Sequence, residues 1–295
     1  MLTIRDLQVH YGSLKALDMQ GEYTVYPGDK VGIIGANGAG KTTFIKACLH
    51  LVKYQGKIET DVGVNDMVVH LQANEYVDTM SCGLVMETIL NTSIKKDKKL
   101  KELIDFFNLG VHLKKKYKYL SGGQKQRFTL IMVLYQDAKI TFFDEVTTGL
   151  DFETRESLMA LINDWYLNKD SLVFLVTHYY EELEQMANKL MIIDEGRIID
   201  YGKKEELFHK YCGYSLITLK NNEVTRKLVK NYTMLSSPKQ TIALKCKDGN
   251  EEMEIVHLLT ENNVNYKRSN NDVEIMSINA IEQNGGNNHV SENQV

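Results

Sequence analysis

One segment constrains this chain more than any other: Gly35-Ala36-Asn37-Gly38-Ala39-Gly40-Lys41-Thr42, which fits the pattern G-x-x-x-x-G-K-S/T. It follows the short apolar run Val31-Gly32-Ile33-Ile34 and opens into Thr42-Thr43-Phe44-Ile45, which reads as the start of a helix. Glycines let the backbone curl so that successive N–H groups face one anion, and a helix N-terminus adds positive potential. Lys41 would then reach the outer phosphates of a nucleotide, while Thr42 carries a hydroxyl suited to Mg²⁺. A glycine-rich turn with no ligand is the competing reading, but a chance match in a chain of this length has a probability of about 1%. The strand, loop and helix together predict an α/β fold, a P-loop nucleotide-binding domain.

Two further apolar runs, Ile140-Thr141-Phe142-Phe143 and Ser171-Leu172-Val173-Phe174-Leu175-Val176, have the length and composition of strands buried on both faces. They alternate with amphipathic helical stretches, which predicts a mostly parallel sheet over residues 1–212. Ligands gather at the carboxyl ends of such strands. Tyr23 to Lys30 reads as a strand closed by a turn centred on Pro27-Gly28, and Met191 to Ile199 as a hairpin, giving the domain an antiparallel β part. Between residues 73 and 120 the core strands stop, and Gly83 to Thr92 and Lys98 to Leu109 read as helices of a short insertion.

Composition shifts near residue 213, since 14 of the 22 asparagines fall in the last 75 residues. Strand-like Ser215 to Lys220, helical Glu223 to Tyr232, strand-like Thr241 to Cys246 and helical Glu251 to Glu261 predict a small α+β accessory module over 213–280. Residues 281–295, with Gly285-Gly286-Asn287-Asn288, read as a disordered tail.

The longest uninterrupted apolar run, Leu130 to Tyr135, falls well short of the roughly 18 residues of a spanning helix. The amino-terminal residues show neither a basic nor an apolar leader pattern, so a cytoplasmic address is expected. Cysteines 48, 82, 212 and 246 form no C-x-x-C pair and read as reduced. A formal charge of −4 argues against a nucleic-acid partner. The exception is Lys95 to Lys118, where nine lysines and three acids make a local +6; a solvated helical face explains it, and attraction to anionic headgroups or an acidic loop of a partner is the sharper reading.

Two more segments carry chemistry. Ile140 to Phe143 ends in Asp144-Glu145, where one carboxylate can hold Mg²⁺ and the next can polarise water. Leu120-Ser121-Gly122-Gly123-Gln124 precedes a helical run and sets Ser at the cap with Gln three residues later, a capping box whose glycines leave bare backbone for an anion.

That pentapeptide, lying between a phosphate loop and an acidic strand end, resembles the ATP-binding cassette superfamily over residues 1 to about 210. The resemblance implies ATP and Mg²⁺ as cofactors and a head-to-tail dimer with a second cassette subunit, homodimeric or paralogous. Each ATP would sit between one subunit's phosphate loop (Gly35, Asn37, Gly38, Ala39, Gly40, Lys41, Thr42 and Thr43) and the other's Ser121, Gly122, Gly123 and Gln124. It also implies that Tyr11 stacks on adenine, that Asp151 of Gly149-Leu150-Asp151 crosses the dimer interface, and that Glu145, His178 and Gln72 form the catalytic set. Thr42, Gln72 and Asp144 would serve the metal.

Two features depart from or narrow the pattern. Val146 stands where the family commonly has proline, which frees φ without removing a catalytic group. The insertion, 47 residues between Gln72 and Leu120, is short and resembles exporter-type cassettes of bacterial drug, bacteriocin or peptide transporters more than nutrient importers. The implied partner is a transmembrane permease on a separate chain, which would hold the protein on the inner face of the membrane. The other class is a soluble cassette ATPase acting on ribosomes or DNA. Ribosomal members usually carry two cassettes and DNA-repair members long coiled coils, whereas this sequence has one phosphate loop and no sustained heptads.

Overall fold

The computed structural model describes residues 1–70, 76–77 and 79–284. The chain opens with an antiparallel hairpin, β1 (Leu2–Tyr11) and β2 (Leu14–Val25). A turn closed by the Asp29 N–H on the Tyr26 carbonyl leads into β3 (Lys30–Ile34), and the phosphate loop follows, ending in α1 (Lys41–Cys48). β4 (Gln55–Thr60) then returns to pair with β1, completing a three-stranded antiparallel sheet ordered β2-β1-β4.

The rest of the cassette alternates helix and strand. β5 (Met67–His70) precedes the insertion, whose helices are α2 (Cys82–Ile89) and α3 (Lys98–Phe106). Next come α4 (Gly122–Leu134), β6 (Ile140–Asp144), α5 (Phe152–Tyr166), β7 (Leu172–Val176) and α6 (Tyr180–Met186). A hairpin of β8 (Lys189–Asp194) and β9 (Arg197–Lys203) and the helix α7 (Lys204–Cys212) close it. These strands form one six-stranded sheet ordered β5-β6-β7-β3-β8-β9, parallel except at the last pair.

β6 and β7 are buried along their whole length, as their unbroken apolar runs require. Alternate residues feed two cores. Ile140, Phe142, Leu172, Phe174 and Val176 pack with Phe44 of α1 and with β1 and β2 on one face. Phe143, Val173 and Leu175 pack against the helical layer of α4, α5 and α6 on the other. Phe142 and Phe174 stack with centroids 4.8 Å apart, and Phe44 meets Phe174 edge-on at 5.9 Å.

The helices of the insertion end sooner than the sequence pattern predicts. Asn91 and Asn108 adopt left-handed φ values of 49° and 52°, so the chain turns out of helix at Ile89 and Phe106. Residues 71–75, which include Gln72, lie outside the described residues. Among the described residues no helix is long and apolar enough to cross a membrane. All four cysteines are buried and unpaired.

Beyond residue 213 the elements are β10 (Ser215–Lys220), α8 (Glu223–Leu228), β11 (Met234–Leu235), β12 (Thr241–Cys246), α9 (Gly249–Glu261), β13 (Tyr266–Ser269) and α10 (Val273–Asn284). The first six make a β-α-β-β-α-β unit with an antiparallel sheet ordered β11-β12-β10-β13, a split βαβ topology. One face of that sheet has its own core of Ile217, Leu219, Ile242, Leu244, Ile255 and Leu259. The other face does not stand alone: Leu216 and Ala243 join Val273, Ile275, Met276 and Ala280 of α10 in the same core as α6 and α7. The elements after residue 213 thus share a core with the cassette.

α10 corrects one expectation. It runs to Asn284, so residues 281–284 are helical rather than part of a disordered tail; 285–295 lie outside the described residues. In that last turn Asn284 donates to the Tyr211 hydroxyl at 2.8 Å, tying α10 to α7.

Met276 is fully buried in this shared core. Met276→Ala should lower stability by about 2–5 kcal/mol in denaturant titration, with cassette and module unfolding in one transition; an unmoved cassette transition would show that α10 supports the module alone.

Candidate active site

Three adjacent parallel strands, β6, β7 and β3, deliver their carboxyl ends side by side. Asp144 pairs in register with Val176, and Ile33 also pairs with Val176, so the acidic strand end, the Thr177-His178 turn and the start of the phosphate loop fall on one edge. Asp144 is buried. The Thr42 hydroxyl donates to its Oδ2 at 2.9 Å, whereas its Oδ1 has no partner among the described residues. Burial raises the Asp144 carboxyl above the ordinary carboxylate range, and the neighbouring Glu145 charge adds to this against the Thr42 hydrogen bond. An orphaned buried carboxylate oxygen beside a threonine hydroxyl is a donor set that fits a hard cation such as Mg²⁺.

Glu145 sits at φ 53°, a left-handed conformation that costs a non-glycine residue energy and persists only when its surroundings hold it. Contacts on both its backbone and its side chain hold it. Its N–H donates to the Val176 carbonyl at 2.9 Å, Thr148 Oγ1 donates to its Oε2 at 3.2 Å, and His178 Nε2 lies 2.8 Å from its Oε1. The sharp turn lifts the carboxylate out of the sheet, into an open cleft of about 490 Å³ that the phosphate loop also lines.

In that loop Gly38 and Gly40 take φ values of 82° and 107°, which let the chain curl without a Cβ penalty. No side chain caps α1, so its leading backbone N–H groups suit an anion. Lys41 folds back, its Nζ donating to the Gly35 and Ala36 carbonyls at 2.7 and 3.0 Å. Burial lowers its pKa, partly offset by Glu145 and Asp144. Asn37, Gly38, Gly40, Lys41, Thr42 and Thr43 all line the cleft. Gly35 and Ala39, expected there, do not: Ala39 is buried, and a Cβ on Gly35 would stand 2.3 Å from the Ile193 carbonyl. Both residues pack closely beneath the loop.

Tyr11, half-exposed at the end of β1, lines the far side of the same cleft with Leu14, Lys15 and Ala16 of the hairpin. The β8–β9 turn holds this side in place. Gly196 donates to the Ala39 carbonyl at 3.0 Å and accepts from Asp18 N–H at 2.8 Å, linking the phosphate loop to the hairpin. Sequence reading found the turn but not its place: Glu195 and Gly196 reach the cleft through tertiary packing.

The remaining expected residues gather elsewhere. Ser121 and Gln124 complete a reciprocal capping box at the start of α4, at 3.3 and 3.1 Å. With Gly122, Gly123 and Asp151 they line a second cleft of about 340 Å³, joined by Asn108, His112 and Arg127, which sequence reading had not singled out. Asp151 caps α5 with both oxygens on Thr154, at 3.0 and 2.8 Å, and these bonds hold its pKa low. A Cβ on Gly123 would meet Thr154 Cγ2 at 2.6 Å, so glycine there lets α4 approach α5 closely. Neither Tyr11, Lys41 nor Glu145 lines this second cleft.

Residues 19–148 match the family described as ABC transporter. The methionine import ATP-binding protein MetN of Clostridium tetani is 30% identical over 229 residues, covering 70% of this chain and 71% of that protein. A putative ABC transporter ATP-binding protein of Mycoplasma pneumoniae is 30% identical over 231 residues, covering 70% and 67%. Among solved structures, cbiO1 of Clostridium perfringens, part of the ABC transporter complex cbiONQ, superposes with a TM-score of 0.62 at 22% identity over 78% of this chain and 94% of that one.

The fold is that of an ATP-binding cassette, and the chain belongs to the ATP-binding proteins of ABC transporters. It is an ATPase subunit of a transporter.

Lys41→Ala should leave the circular-dichroism spectrum unchanged and weaken ATP binding by about tenfold or more, because it removes the cation aimed at the outer phosphates. A fluorescent ATP analogue bound as tightly as by the unaltered protein would take Lys41 out of the site.

Proposed function

We propose that this chain hydrolyses ATP at composite sites formed with a second cassette, head to tail, and that the cycle drives a permease carried on a separate chain. The observation that carries the proposal is the division of the site residues between two clefts: Tyr11, the phosphate loop and Glu145 in one, Ser121 to Gln124 and Asp151 in the other. One chain then has half of each site, and closure on ATP is what completes them.

In this reading the loop N–H groups and Lys41 bind the outer phosphates, and Tyr11 stacks on the adenine. Thr42 and Asp144, with Gln72, would hold Mg²⁺, which supplies charge neutralisation at the phosphates. Glu145 orients the attacking water and accepts its proton. His178 positions Glu145 through the 2.8 Å contact and turns toward the terminal phosphate as the site closes. Ser121, Gly122, Gly123 and Gln124 present a helix N-terminus to the ATP of the opposing subunit.

The permease would hold the protein on the inner face of the membrane. Export is the direction favoured by the 47-residue insertion; the names of the relatives, MetN among them, favour import. Residues 213–284 act as an accessory module rooted in the cassette through α10. Co-purification with a polytopic membrane protein tests the transport assignment; co-sedimentation with ribosomes or DNA instead would overturn it.

Glu145→Gln should retain ATP binding but slow turnover by about two to three orders of magnitude, so that an ATP-bound dimer accumulates in size-exclusion runs. Near-normal turnover with only monomer present would refute the role given to Glu145.

Ser121→Arg and Lys41→Ala should each impair hydrolysis alone, and mixing the two should restore activity, because one composite site per heterodimer is then intact. No recovery on mixing would argue against the head-to-tail arrangement.

A further inference from the structure

Behind the catalytic edge lies a buried charge that the reading above does not use. Glu182 of α6 is 1% exposed, and its carboxylate faces three different segments. Thr147, two residues after Glu145, and Thr177, one residue before His178, approach it with their hydroxyls, and Arg155 of α5 approaches it from the helix that Asp151 caps. Arg155 Nε stands 3.6 Å from Glu182 Oε1, and the guanidinium lies 3.7 Å above the ring of Tyr179, the residue after His178.

The cluster is close to complete without being so. Both Glu182 oxygens, Thr147 Oγ1 and Arg155 Nε are buried, and none makes a hydrogen bond of good geometry among the described residues. Buried groups in this condition are costly, and Arg155 Nε, 3.6 Å from Glu182 Oε1, needs only a small shift to find its partner. Solvent cannot relieve the cost, because the carboxylate and the guanidinium are both screened from it. The segments that must move to relieve it are those that carry the chemistry: Glu145 to Asp151, and Thr177 to Tyr179.

We infer that Glu182 and Arg155 are positioning residues for hydrolysis: they tie the Glu145–Asp151 segment to the His178 turn, and their open hydrogen bonds close when nucleotide draws these segments together. Neither residue lines the nucleotide cleft, so they act on the reaction only through Glu145, Asp151 and His178. The inference rests on the catalytic reading of Glu145 and His178 given above.

The test uses the full chain, with ATP turnover and fluorescent ATP binding measured in parallel. Glu182→Gln, which keeps shape and removes charge, should lower kcat by about tenfold or more while KM and ATP affinity stay within about twofold. Arg155→Met should do the same, Arg155→Lys should recover part of the loss, and the double variant Glu182→Gln/Arg155→Met should be no worse than the poorer single one. If Glu182→Gln does not fold, Thr147→Val removes one hydroxyl from the same cluster and should lower kcat severalfold with ATP affinity kept.

Turnover within about twofold of the unaltered protein in both single variants, or a loss of ATP affinity matching the loss of kcat, would overturn the inference. Glu145→Gln is run beside them. If it too leaves turnover intact, the catalytic reading itself has failed; if it stops turnover and Glu182→Gln does not, only the positioning role has failed.

Discussion

The register of β6, β7 and β3 is the constraint on which the rest of this molecule depends. Parallel strands cannot be joined by tight turns, so each needs a crossover, and their carboxyl ends all emerge on the same edge. Here that puts Asp144-Glu145, Thr177-His178 and Gly35 to Thr42 beside one another although they are separated by up to 143 positions in the chain. A slip of one residue would exchange the two buried faces, driving Phe142 and Phe174 into the helical layer and Phe143 and Leu175 toward the antiparallel sheet. Because both faces are packed, no such slip is accommodated. The aromatic stack of Phe142 on Phe174 fixes at the centre of the sheet what the site needs at its edge.

Much of this was legible in the sequence, for physical reasons. Strands buried on both faces read as continuous apolar runs, so β3, β6, β7 and β12 fall within a residue of their expected bounds. The phosphate loop and the capping box are local devices whose residues act on their own backbone, so pattern alone finds them. α10 is different. Its pattern is diluted by Ser277 and Asn279, both buried; Asn279 bonds the Ser236 backbone in both directions, and the Ser277 hydroxyl donates to the Glu274 carbonyl within the helix. The signal available was Asp272, which caps Ile275 N–H at 2.9 Å.

The same distinction holds at the site. Tyr11, Glu145 and His178 could be assigned because the order of motifs resembles a family. Leu14 to Ala16 and Glu195-Gly196 could not, since they reach the cleft only after two sheets have packed. Gly35 belongs to the motif, and its lack of a Cβ also lets the end of β3 pass close to the Ile193 carbonyl. The site is also poised electrostatically. Burial works against the charge on both Lys41 and Asp144, the cation of one and the carboxylate of the other.

The path of α10 has a consequence for how the chain is made. Synthesis proceeds from the amino terminus, and domains ordinarily fold as they emerge. Here the core around α6 and α7 lacks Val273, Ile275, Met276 and Ala280 until α10 has been made and docks. Every residue of the nucleotide cleft is translated before residue 197, yet the helical layer behind it is finished some eighty residues later. Nascent chains would therefore expose the apolar faces of α6 and α7 while residues 197–280 are being made, an interval in which those faces are open to aggregation.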